Sequence, residues 1–105
     1  MTLFTERERA FENLFARQEE LRFRATALRN RLLGQWAATR LGLAGDAAAA
    51  YVGSFERSLL SQKSELEVET KLRDDFERAG IAMSEADIHA KMTELLEEAV
   101  QRVAA

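Results

Sequence analysis

Side chains able to do covalent or metal chemistry are scarce in this chain of 105 residues. Cysteine is absent, which excludes disulfides, thiol nucleophiles and thiolate metal sites. The single histidine, His89, follows Ile88 at the edge of an apolar helical stripe. No nucleophile or metal ligand stands at helical spacing from it, so it reads as a surface or boundary residue. The carboxylate pairs Glu19-Glu20, Asp74-Asp75 and Glu97-Glu98 are sequence neighbours. On a helix their side chains diverge by about 100°, which marks solvated faces rather than acid–base pairs. Gly42 and Gly45 precede Asp46, whose carboxylate at a helix start repels a phosphate. No catalytic residue, cofactor or metal is expected, and the chain does not read as an enzyme.

What remains is recognition by surfaces. The net charge is −3, but it is uneven, with eight arginines against five glutamates in residues 1–40. Such asymmetry suits an acidic partner, and suits equally an attraction between the two halves of the chain. Arg22, Arg24, Arg29 and Arg31 accompany Phe23, an arrangement that could meet nucleic acid. The interleaved Glu19 and Glu20 and the acidic isoelectric point of about 5.2 argue against that partner. The start, MTLFTERERAF, lacks the apolar core of a secretory signal, and no apolar run reaches spanning length. A soluble cytoplasmic protein without membrane insertion is the expectation.

With no proline and abundant Ala, Leu, Glu and Arg, the chain favours helix throughout. Four helices follow from start and stop signals. Thr5 and Glu8 have capping-box spacing, and Gly42 suits a left-handed ending after Leu41. The apolar positions between are Phe11, Leu14, Phe15, Leu21, Ala25, Leu28, Leu32 and Trp36. Asp46 is expected to cap a second helix carrying Val52, Phe55, Leu59 and Leu60, in which Gly53 marks either a weak point or a close helix crossing. After a polar turn at Ser61-Gln62-Lys63, Ser64 and Glu67 open a third helix through Leu66, Leu72 and Phe76, ended by Gly80. Ser84, with Asp87 at the third helical position, caps a fourth whose stripe is Ile88, Met92, Leu95, Leu96, Ala99 and Val103. The fold class is all-α, a four-helix bundle. Its core takes Trp36 as an anchor.

The first helix is too long for that bundle. From Thr5 to Leu41 it spans roughly 55 Å, against a radius of gyration of about 13 Å for a compact domain of this size. It must break or run past its neighbours, and the weakly apolar residues 16–20, with Gln18 at an expected apolar position, predict a bend or mobile joint. Phe4, Phe11, Leu14 and Phe15 then form an amphipathic segment of the kind partner grooves receive. Periodicity alone allows equally that the segment folds back and supplies core.

Longer strings carry a resemblance. Arg7-Glu8-Arg9-Ala10-Phe11-Glu12, Phe15-Ala16, Glu19-Glu20-Leu21 and Phe23 resemble the start of the zeta subunit of alphaproteobacterial F-type ATP synthases. So do Arg29-Asn30-Arg31-Leu32-Leu33-Gly34, Trp36-Ala37-Ala38 and Leu41-Gly42-Leu43. Ala79-Gly80-Ile81, Ser84-Glu85 and Lys91-Met92-Thr93-Glu94-Leu95 are similar to the family's last two helices. The resemblance implies an inhibitor subunit with a mobile segment, residues 1–19, on a bundle of residues 20–105. In the family this segment enters a catalytic α/β interface of the synthase head beside the γ stalk and blocks ATP hydrolysis. Carried over residue by residue, Phe4, Phe11, Leu14 and Phe15 become apolar anchors, and Arg7, Arg9 and Arg17 charged contacts. Leu14, Arg17-Gln18 and Leu28 depart from the family pattern. The resemblance also implies a monomer when free, held at the membrane-bound synthase through its soluble head. Weak binding of ATP or ADP is a family trait for which no residue pattern here marks a site. The alternative reading is a nucleotide-responsive helical adaptor with little inhibitory activity.

Overall fold

The computed structural model describes residues 3–60 and 65–104, with side chains described in 17–57 and 65–104. The described residues form four helices, α1 (Leu3–Arg40), α2 (Gly45–Leu60), α3 (Glu65–Arg78) and α4 (Glu85–Ala104). The all-α expectation holds, and α2 and α4 pack along α1.

The helix ends follow the capping chemistry that the sequence carries. At the end of α1 the amide of Leu43 bonds the Ala38 carbonyl at 2.9 Å and that of Gly42 bonds Thr39 at 3.1 Å. The end of α3 repeats the pair, with Ile81 to Phe76 at 2.9 Å and Gly80 to Glu77 at 3.0 Å. Both are Schellman endings, and both need the positive φ that Gly42 (75°) and Gly80 (72°) adopt. At the start of α4 the Asp87 amide donates to the Ser84 hydroxyl at 3.0 Å, the expected N-cap. Two starts differ. The first helix begins at Leu3, ahead of Thr5, and Asp46 lies inside the first turn of α2, where its carboxylate opposes the positive end of the helix dipole. The Ser61-Gln62-Lys63 turn and the Ser64 cap lie outside the described residues.

The core gathers Leu33 and Ala37 from α1, Phe55 from α2, Val68, Leu72 and Phe76 from α3, and Ile88, Met92 and Leu95 from α4. Trp36 lies half-buried at its margin, edge-on to Phe76 at 5.4 Å between ring centroids. The side of α1 that is buried differs from the stripe expected. Ala25, Arg29, Leu33 and Ala37 at spacing four, joined by Asn30 and Ala38, are buried, while Leu21, Leu28 and Leu32 are only half-buried. On α3, Val68 takes the inward place expected for Leu66, which is exposed. On α4, Leu96 and Val103 turn to the edge.

Helix α1 runs without interruption through residues 16–20, where a joint was expected. Its 38 residues correspond to about 57 Å of helix. The molecule measures 64 × 29 × 25 Å, with a radius of gyration of 17.6 Å, well above that of a compact domain of equal length. The length mismatch is therefore met by projection, and a helix continuous from Leu3 to Arg40 does not fold back over the core.

Candidate interaction site: the start of the first helix and its root

Site geometry begins with the helix register. At 100° per residue, Phe4, Arg7, Phe11, Leu14 and Phe15 fall within an arc about 100° wide on α1, with Arg17 on its flank, about 60° beyond Leu14, and Arg9 opposite. Their common face is thus apolar with one cation, and the three arginines do not act from one direction. The side chains of Phe4, Arg7, Arg9, Phe11, Leu14 and Phe15 lie outside those described, while Arg17 is exposed. Arg17 through Glu20 are all exposed, and an i,i+4 pair from Arg24 to Glu20 at 2.8 Å supports the helix there.

The root is where this helix enters the bundle, and its anchors are polar. Arg29 is 2% exposed. Its Nη1 and Nη2 donate to the two carboxylate oxygens of Glu65 at 2.6 and 2.7 Å, and its Nε donates to Asn30 Oδ1 at 2.8 Å. A guanidinium out of water needs such a fork, because an unpaired buried charge costs several kcal/mol. The same hydrogen bonds hold the Glu65 carboxyl below its ordinary range, against the opposing effect of burial. This clamp fixes the first turn of α3 to the middle of α1. Sequence reading placed Arg29 in a basic surface set. Only a partner 36 residues away makes its burial possible, and local periodicity carries no trace of that partner.

Two further contacts set the helix positions. A Cβ at Gly34 would stand 3.1 Å from the Val52 Cα and 3.2 Å from Phe55 Cδ2. Gly34 is therefore the close crossing of α1 on α2. Gly53, the glycine suspected of that role, faces only the Arg57 Nη1 at 3.3 Å. One turn from Phe55 on α2, Tyr51 donates to Asp75 Oδ2 at 2.7 Å, and Lys71 Nζ reaches the same oxygen at 3.1 Å. Asp75 is thereby half-buried and paired, not part of a solvated face as expected. Burial, then the Asp75 carboxylate, hold the Tyr51 hydroxyl protonated well above the ordinary phenol range. His89 is exposed, as its boundary position suggests.

Around the root the surface turns apolar. Phe23 (58% exposed), Leu66 (68%), Leu96 (38%) and Val100 (48%) are the exposed large hydrophobics among the described residues. A groove of about 490 Å³ runs between α1 and α4, lined by Leu21, Ala25, Leu96, Val100 and Val103 with Arg22 and Thr26 on its edge. Among the described residues no group of three metal-ligating side chains converges, and no helix is long and apolar enough to cross a membrane.

The block Arg29-Asn30-Arg31-Leu32-Leu33-Gly34, on which the family resemblance leans most, is thus the structural spine of α1: clamp, core and crossing in six residues. No curated protein matches the chain at a significant level. Against known protein families, residues 1–102 match ATPase inhibitor subunit zeta. That match takes in the projecting start of α1 as well as the bundle, and the chain belongs to the ATPase inhibitor subunit zeta family.

Proposed function

We propose that the chain blocks ATP hydrolysis by the F-type ATP synthase by inserting the start of α1 at a catalytic α/β interface beside the γ stalk. Residues 1–19 are the effector in this reading, and residues 20–105 the bundle that presents it at the cytoplasmic, soluble head of the synthase. The observation that carries the reading is the continuity of α1, which runs from Leu3 to Arg40 and outreaches its neighbours at its N-terminal end. An amphipathic helix offered clear of its own core is the form in which helix-in-groove recognition works. Phe4, Phe11, Leu14 and Phe15 serve as anchors, with Arg7 on the same arc. Arg17, on the flank of that arc, and Arg9, on the opposite side of the helix, serve as charged contacts to the walls of the cleft.

The test adds the purified chain, with and without residues 1–19, to the homologous ATPase and follows hydrolysis. The full chain is expected to inhibit and the shortened chain to fail. Phe11→Ala is expected to raise the half-maximal concentration about 30-fold, matching the roughly 2 kcal/mol of a buried interface aromatic. Equal hydrolysis with both forms present would sink the proposal.

A further inference from the structure

We infer that the apolar groove between α1 and α4 is a second contact surface, seated on the rim of the same cleft that receives the start of α1. The inference rests on the reading that the start of α1 is the docking element, and adds a place where the bundle itself touches the partner.

Position carries the argument. Two of the described exposed large hydrophobics, Leu96 and Val100, line one groove together with Leu21 and Ala25, where α1 enters the bundle. Phe23, about 160° round α1 from Leu21 and Ala25, and Leu66 on α3 lie outside that lining. A scatter of single exposed apolar residues needs no explanation, whereas a group at one site marks an interaction surface. Helical register supplies the second observation. Leu21 and Ala25 fall on the same side of α1 as Phe11 and Leu14, so the apolar face of the projecting segment passes directly into the groove. The third is the continuity of α1 through residues 16–20. Without a break there, a partner lying along the apolar face of the first turns meets the C-terminal end of α4 at a set distance and angle. That end presents Leu96, Val100 and Val103 at spacing four and three, edged by Arg22. The occupant these features fit is a rim segment of the ATPase head that presents apolar side chains bordered by carboxylates.

The experiment uses the full chain carrying Val100→Glu, Leu96→Glu or the isosteric Val100→Thr, titrated into the homologous ATPase. Circular dichroism verifies that each variant keeps the helix content of the parent. The glutamate variants are expected to raise the half-maximal inhibitory concentration tenfold or more, and Val100→Thr a few-fold, with inhibition at saturation unchanged because residues 1–19 are intact. Folded variants that inhibit at the parent concentration overturn the groove assignment. So does a parent chain that sediments as a dimer which Val100→Glu dissociates, because a second copy would then be the occupant. Deleting residues 1–19 keeps the two ideas apart. If deletion leaves inhibition intact, the docking-helix reading fails and the groove falls with it. If deletion abolishes inhibition while Val100→Glu changes nothing, only the groove falls.

Discussion

The two halves of α1 share one continuous helix and differ in composition. From Leu21 to Arg40 the helix is read by its neighbours: Ala25, Leu33, Ala37 and Ala38 are buried, Gly34 admits the backbone of α2, and Arg29 is enclosed by its own ion pair. Four of the residues buried there, Ala25, Gly34, Ala37 and Ala38, are small, as suits a helix against which α2 and α4 both pack. From Leu3 to Glu20 the sequence is bulky and charged, with Phe4, Phe11 and Phe15 set among Glu6, Arg7, Glu8, Arg9 and Glu12. Close packing would exclude such large rings where a neighbouring backbone approaches within van der Waals contact. The comparison teaches that small residues on one face of a helix record where a neighbouring helix comes close, as Gly34 does for α2.

The division can be broken most forcefully at the core. Phe76→Ala, which empties a buried ring beside Trp36, is expected to cost about 3–5 kcal/mol in urea unfolding. Deleting residues 1–19 is expected to shift the same transition by no more than about 0.5 kcal/mol. A deletion as costly as Phe76→Ala would mean that the first turns belong to the bundle.

A smaller effect separates the two glycines. Gly34→Val forces a side chain against the Val52 backbone and is expected to cost about 1–3 kcal/mol. Gly53→Ala meets only the flexible end of Arg57, and relief of the glycine penalty is expected to stabilise α2 by up to about 1 kcal/mol. Loss of stability at both positions would show that α2 crosses α1 by a different face.

The smallest effect is in pH. Because Glu65 is held below its ordinary range in the folded chain, its stabilisation is present above the unfolded carboxylate value, about 4.3, and fades as pH falls through the folded value. Its side chain is 66% exposed, which screens the pair, and the amide oxygen of Glu65→Gln still accepts from Arg29. The pH-dependent difference is therefore expected to stay under about 1 kcal/mol and not reach the several that a wholly unpaired guanidinium costs. Glu65→Gln should lower stability near neutral pH and converge on the parent in acid, measured by urea unfolding at several pH values. Parallel curves across that range would remove the clamp from the account.

Much of the fold was legible because its signals are local. Gly42, Gly80 and the Ser84–Asp87 spacing announce helix ends through bonds that span a few residues, and all three behave as their residue types require. The misreadings share a different cause. Arg29 and Asp75 are polar residues whose burial depends on Glu65 and Tyr51 on other helices. No periodicity window contains both partners of such pairs. Choosing between Gly34 and Gly53 likewise requires knowing which faces meet. No break interrupts α1 at residues 16–20, because a helix needs no tertiary cover where propensity and an i,i+4 pair such as Glu20–Arg24 sustain it. Of the candidate contacts, only Arg17 has a described side chain, so for the others the helix and its register are what structure adds.

In the role proposed for it, α1 is anchor and probe on one helix. Load applied near Leu3 would pass along an uninterrupted run of backbone hydrogen bonds to the Gly34 crossing and the Arg29–Glu65 fork. A substitution that loosens the fork would then weaken inhibition without changing any residue proposed to meet the target.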